Sequence, residues 1–155
     1  MNQYPQGLTL IELLISLAII AVLMTFGMSF WPIFHQRHQV SVVVDEITLA
    51  INTARVEALL TGEPLIIKPL SAKLNWSHGL VVVAENEYKL ARVIHEWGWL
   101  NKGVNVEWHG FQSPHYLRFN NDIRHNSTNG YFIIKSRFEQ KKLVVNRLGR
   151  VRMIV

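Results

Sequence analysis

From Leu8 to Phe34 the chain runs for 27 residues with one charged side chain, Glu12, close to its start. As a helix such a run is about 40 Å long, more than the roughly 30 Å of a bilayer core. An ionised carboxylate in hydrocarbon costs about 3 kcal/mol or more, so it needs a partner and marks function by default. A plain anchor has no reason to carry it. The run also differs from an ordinary secretory signal. No Lys or Arg precedes it, and no small-residue cleavage site follows the apolar core. The small residue, Gly7, stands before the core. A cut after Gly7 removes residues 1–7 and keeps the whole apolar helix.

Beyond Phe34 the helical spacing continues. Val40, Val43, Ile47, Ala50, Ala54 and Ala58 recur every three or four residues, and Val44 and Ile51 widen the stripe. Gly62 and Pro64 are stop signals. The spacing predicts one long helix from Leu8 to about Leu60. From Pro64 the pattern changes to short apolar runs. Strands are expected at Leu65–Lys68, Leu80–Ala84, Tyr88–Ile94, Val104–Trp108, Tyr116–Asn120, Tyr131–Lys135, Leu143–Asn146 and Arg150–Ile154, separated by Gly-, Pro- and Asn-containing breaks. The expected fold is α+β: a long N-terminal helix, membrane-embedded in its first half, packed on a C-terminal antiparallel β-sandwich. Three segments follow: 1–7, removed; 8–34, the membrane half of the helix; and 35–155, a globular domain outside the membrane. That domain has about 120 residues, enough for its own core. With no Cys in the chain, packing alone must hold it.

The net charge of +5 is unevenly spread. Residues 118–155 hold nine Lys or Arg against Asp122 and Glu139, a local +7, whereas residues 35–117 sum to −1. Such asymmetry points to a polyanion: nucleic acid, anionic lipid or glycan. Within the basic quarter, Arg150 and Arg152 stand two apart on an expected strand. There they share a face at roughly 7 Å, a spacing that suits neighbouring phosphates. Arg forks bind phosphate through paired donors. Gly149 lets the preceding turn form. Lys141, Lys142 and Arg147, on the strand or turn before it, widen the patch, and Val151 and Met153 are expected to face the core. The competing reading is a solvated basic edge strand that discourages aggregation.

Other constellations carry less. Arg55 and Glu57 are two apart on the helix and do not face each other; both read as structural, each pairing with the first strands. His35 and His38 are three apart on the helix, a spacing that permits a metal site without implying one, and the seven His residues form no ligand pattern. Trp97, Trp99 and Trp108 read as core rather than as a base-stacking platform. No nucleophile–base order, phosphate loop or spaced carboxylate pair is present. The chain reads as a non-enzyme with no cofactor and no metal.

Gly7-Leu8-Thr9-Leu10-Ile11-Glu12-Leu13-Leu14 resembles the leader junction and mature start of type IV pilins and type II secretion pseudopilins. Leu8 stands where that family usually has Phe, and the leader lacks Lys or Arg. The resemblance implies cleavage by a prepilin peptidase between Gly7 and Leu8, methylation of the new Leu8 amine, and an assembly role for Glu12. Paired with the amine of the same or an adjacent subunit, the Glu12 carboxylate removes two desolvation costs together. Ala54-Arg55-Val56-Glu57-Ala58 and Gly149-Arg150-Val151-Arg152 are similar to segments of the GspH/FimT branch, and the second favours FimT. The implied protein is a minor type IV pilin, single-pass in the bacterial inner membrane with a periplasmic domain, and extracellular once in the pilus. Its expected partners are other major and minor pilins and DNA, bound without sequence preference for uptake in natural transformation. The alternative is a structural GspH-like pseudopilin of a type II secretion filament with no DNA role.

Overall fold

The computed structural model describes residues 9–71, 75–85, 91–99 and 103–154, apart from the side chains of 26–36, 91 and 123. Residues 1–7 and Leu8 lie outside it, as do both sides of the expected cleavage point. The chain divides into two units, Met1–His35 and Gln36–Val155. One helix, α1 (Leu10–Thr61), contributes to both.

In the first unit α1 is apolar around its circumference. Its large hydrophobic side chains from Leu10 to Met24 are 47 to 79% exposed. Among the described residues no helix is long and apolar enough to cross a membrane. Part of the expected 8–34 span, Leu8 and the side chains from residue 26 onward, lies outside the described residues.

In the second unit α1 is amphipathic, with the stripe that the spacing predicts. Val40, Val43, Ile47, Ala50, Ile51, Ala54 and Ala58 are fully buried. The small Ala residues of the last turns allow close backbone approach. The helix ends at Gly62, whose φ of 74° and N–H to the Ala58 carbonyl (3.1 Å) form a left-handed cap.

Among the described residues eight strands follow: β1 (Leu65–Pro69), β2 (Gly79–Glu85), β3 (Ala91–Gly98), β4 (Asn105–Gly110), β5 (Leu117–Phe119), β6 (Gly130–Lys135), β7 (Gln140–Val145) and β8 (Val151–Ile154). They form two four-stranded sheets in the orders β3-β2-β1-β5 and β4-β6-β7-β8, and their pairings are antiparallel. Inward residues of both sheets share one buried cluster with the α1 stripe. Leu65, Ile67, Leu80, Val82, Leu117 and Phe119 come from the first sheet, and Val106, Phe132, Ile134, Leu143 and Val145 from the second. Each such side chain contributes about 1.5–3 kcal/mol through burial. Trp76, Trp99 and Trp108 are buried as well, and Trp97 packs against the cluster. The indole N–H groups of Trp99 and Trp108 donate to the carbonyls of Trp76 and Ser113, both at 2.9 Å, so neither of these two rings carries an orphan donor.

Several strand boundaries depart from the periodicity, those of β3, β7 and β8 among them. β3 continues past Ile94 to Gly98 because a bulge opposite Val82 and Val83 restores the pairing, and at the edge of the sheet both His95 and Glu96 stay exposed. Its expected start at Tyr88 lies outside the described residues. β7 begins at Gln140, with Lys141 and Lys142 pairing Ile134 and Ile133. β8 begins at Val151, which leaves Arg150 in the turn. Met153 is a further correction. It pairs with buried Leu143, but at the edge of the sheet it stays 48% exposed. Val151 packs on the core.

Candidate functional site

Two places collect the residues singled out in the sequence. The first is the start of α1. Thr9 caps the helix, and its carbonyl accepts the Leu13 N–H at 3.2 Å. The Thr9 hydroxyl accepts the Glu12 N–H at 3.3 Å, and Glu12 Oε2 accepts the Thr9 N–H at 2.9 Å and hydroxyl at 3.1 Å. This is a reciprocal capping box. Its sequence signal, Thr followed three residues later by Glu ahead of an apolar run, is present in Thr9-Leu10-Ile11-Glu12. Only Oε2 is engaged, so the Oε1 oxygen has no partner among the described residues. Gly7 and Leu8 lie outside them.

The second place is the turn between β7 and β8. Arg147, Leu148 and Gly149 form a three-residue loop. Gly149 N–H donates to the Asn146 carbonyl at 2.9 Å, and Asn146 N–H donates to the Arg150 carbonyl at 3.1 Å. The Asn146 side-chain oxygen accepts from the N–H groups of both Leu148 and Arg150, each at 2.9 Å. Gly149 has φ 70°, in the left-handed region, as the closing residue of such a loop requires. A Cβ there meets the Phe119 ring at 2.8 Å and the Arg55 Cδ at 3.3 Å, so position 149 excludes a side chain on two counts.

Neighbouring chain pins the turn from below. The buried Thr128 hydroxyl donates to the Asn146 carbonyl at 2.9 Å, and the buried Asn126 amide donates to the Arg147 carbonyl at 3.4 Å. Asn126 Oδ1 in turn accepts the Asn120 N–H at 2.7 Å. These residues hold the loop in one shape, and no local pattern around them announces it.

The structure sorts the basic residues by engagement. The Arg118 guanidinium pairs with Glu85. Arg124 binds Asp122 through Nε and a terminal nitrogen, the latter at 2.9 Å. Those hydrogen bonds, more than the nearby charges of His125 and Arg147, hold the Asp122 carboxyl below the ordinary carboxylate range. Arg147 donates to the Arg124 carbonyl. Lys141 is mostly buried and reaches Glu139 at 3.4 Å. Lys142, its neighbour on the opposite face of β7, sits 4.1 Å from the centre of the Tyr131 ring, and that ring stacks on His109. Lys141 and Lys142 therefore do not form one patch, because adjacent strand residues point to opposite faces.

Arg150 and Arg152 are exposed, and among the described residues their guanidinium groups make no hydrogen bond or ion pair. Arg152 pairs with Val144 in the ladder, on the same outer face as Lys142. Arg55 likewise has no partner among the described residues, whereas Glu57 reaches His95 of β3 at 3.9 Å. The expected pairing of Arg55 with the first strands is absent from the described residues. No group of three or more His, Cys, Asp or Glu among them is placed to hold a metal ion.

The sequence matches two family models: the prokaryotic N-terminal methylation motif over residues 3–28 and the type II transport protein GspH over residues 43–149. No curated protein gives a match. Among solved structures, the type IV minor pilin FimU of Pseudomonas aeruginosa is similar at 18% identity and a TM-score of 0.62, over 79% of this chain and 92% of that one. The minor pseudopilin EpsH of the Vibrio cholerae type 2 secretion system is similar at 13% identity and a TM-score of 0.57, over 75% of this chain and 96% of that one.

Proposed function

The chain belongs to the GspH family, whose members are minor pilins and pseudopilins of type IV pili and type II secretion, and from that premise we propose that it is a pilus subunit that binds DNA through phosphates. The observation that carries the reading is the pair of unengaged guanidiniums, Arg150 and Arg152, on and beside a turn pinned by Asn146, Asn126 and Thr128. A fixed turn lowers the ordering cost of binding. Free Arg forks suit phosphate oxygens, and contacts to phosphate carry no base information. Arg147, tethered to the Arg124 carbonyl, and Lys142, on the outer face beside Arg152, add positive potential. Lys141, neutralised by Glu139, adds little. The bound DNA serves uptake in natural transformation.

The N-terminal half of the reading concerns assembly. Prepilin peptidase cuts between Gly7 and Leu8, the Leu8 amine is methylated, and the apolar run 8–34 holds the subunit in the inner membrane as a single pass, with residues 35–155 in the periplasm. On entry into a filament with other pilins, the open Oε1 of Glu12 accepts an N-terminal amine of a neighbouring subunit. A second reading, a structural pseudopilin without a DNA role, draws on the likeness to EpsH and on the family model itself.

The two readings separate in one experiment. Detergent-solubilised full-length chain is titrated with two unrelated DNA duplexes over a series of salt concentrations. The DNA reading expects similar affinity for both duplexes and a steep fall with salt, about 0.9 log units per contact for each log unit of salt. Arg150→Gln with Arg152→Gln flattens that slope by about two units on both duplexes. Absence of binding at low salt favours the structural pseudopilin.

A further inference from the structure

We propose that Arg55, on α1, is a third phosphate ligand of the β7–β8 turn site. The inference rests on the DNA-binding reading and adds to it a residue from a distant part of the chain.

The geometry starts at Gly149. The space that a Cβ would take there is bounded by two side chains, the Phe119 ring and the Arg55 stem, with Cδ at 3.3 Å. Three segments far apart in sequence therefore meet at one residue: the last turns of α1, β5, and the turn carrying Arg150. Phe119 is 1% exposed and forms the floor. The Arg55 stem lies on another side of the same space, beside the turn. Its Cδ, the carbon that carries the guanidinium, lies next to Gly149, the residue that precedes Arg150.

The electrostatics point the same way. Arg55 is half-buried. An arginine with a packed stem commonly turns its guanidinium to a carboxylate or carbonyl of the chain. Arg92, Arg118 and Arg124 each have a carboxylate, from Glu63, Glu85 and Asp122. Arg55 has neither carboxylate nor carbonyl among the described residues. Glu57 does not serve it, because residues two apart on a helix do not face each other, and Glu57 turns to His95 instead. The Arg55 stem thus lies against the residue before Arg150, and neither arginine has an internal anion among the described residues. A phosphodiester oxygen supplies it, and the planar fork of Arg suits two such oxygens better than the point charge of Lys.

The test uses detergent-solubilised full-length chain and the two unrelated duplexes. Arg55→Met keeps the stem that packs on Gly149 and Phe119 and removes the charge. The expected result is weaker binding to both duplexes and a salt slope flatter by about one unit, with Arg55→Lys restoring the slope. A residue that only packs beside the turn leaves the slope unchanged. If wild type binds and Arg55→Met has the wild-type slope, the Arg55 assignment is wrong and the DNA reading stands. If wild type fails to bind at low salt, both are wrong. Should Arg55→Met not fold, the Arg55 side-chain Nε–H resonance of the wild type decides: a shift on adding duplex supports the assignment, and an unmoved resonance overturns it.

Discussion

The two parts of α1 are made of the same kinds of residue and behave in opposite ways. From Leu10 to Met24 the large apolar side chains are all at least 47% exposed, on every face. From Val40 to Ala58 the spaced residues Val40, Val43, Ile47, Ala50, Ile51, Ala54 and Ala58 form a stripe with no exposure, and Leu49 and Val56, off that stripe, stay about half exposed. The difference lies in periodicity rather than in hydrophobicity. A stripe can be covered by one surface, and the chain supplies that surface with its own sheets. A helix that is apolar all round cannot be covered on one side only, so its partner is lipid or other subunits. The polar groups follow the same division. In the second unit most carboxylates and cations find partners within the chain. At the start of α1, Glu12 is half satisfied by Thr9, and the rest of its capacity points outward.

The largest effect that tests this contrast is a pair of identical truncations. Ile47→Ala, at a fully buried position, should cost about 2–5 kcal/mol of stability. Ile19→Ala, 55% exposed in the same helix, should leave the urea midpoint of the globular domain unchanged. Equal losses would mean that the first part of α1 is covered by the chain itself. Glu12→Ala should produce an intermediate, purely functional effect. The domain keeps its midpoint and the protein stays in membranes, but it is missing from sheared filaments. Normal abundance there would remove Glu12 from the assembly contact.

The smallest effect concerns a charge that the second unit satisfies internally. Arg124 depresses the pKa of the Asp122 carboxyl in the folded chain below its ordinary value of 3.8. A depressed folded value means that the ionised form favours folding. The contribution is fully present above the unfolded value and is lost as pH falls through the lower folded value. Thermal melts should therefore show wild type slightly above Asp122→Asn at neutral pH and the two converging in strong acid. A gap that widens on acidification would contradict the assignment. The group is exposed, so the gap is small.

Much of this was readable in advance because it is local. Helical spacing from Val40 to Ala58 marked the buried stripe, since one face of a helix repeats every 3.6 residues whatever covers it. Eight short apolar runs marked the eight strands. The boundaries that moved did so for non-local reasons. β3 extends because a bulge lets it keep pairing with β2, and β7 starts early because Lys141 and Lys142 have ladder partners in β6. The basic patch was legible as a count of charges and not as a surface. Lys141 and Lys142 look alike in the sequence, yet one pairs with Glu139 and the other lies over Tyr131.

By itself the sequence determined the elements, the core stripe, the family and the lone carboxylate of the apolar run, because each depends on residues close together along the chain. Thr9 and Glu12 belong in that group too, since a capping box spans a single helical turn. Only the tertiary structure decided which basic groups remain free. Arg118 and Arg147 lose their availability to Glu85 and the Arg124 carbonyl, respectively 33 and 23 residues away. Arg55 reaches the turn at Gly149 only because α1, β5 and the β7–β8 loop converge there. Charge is a property of a residue, but whether it is neutralised depends on what folding brings within a few ångströms of it.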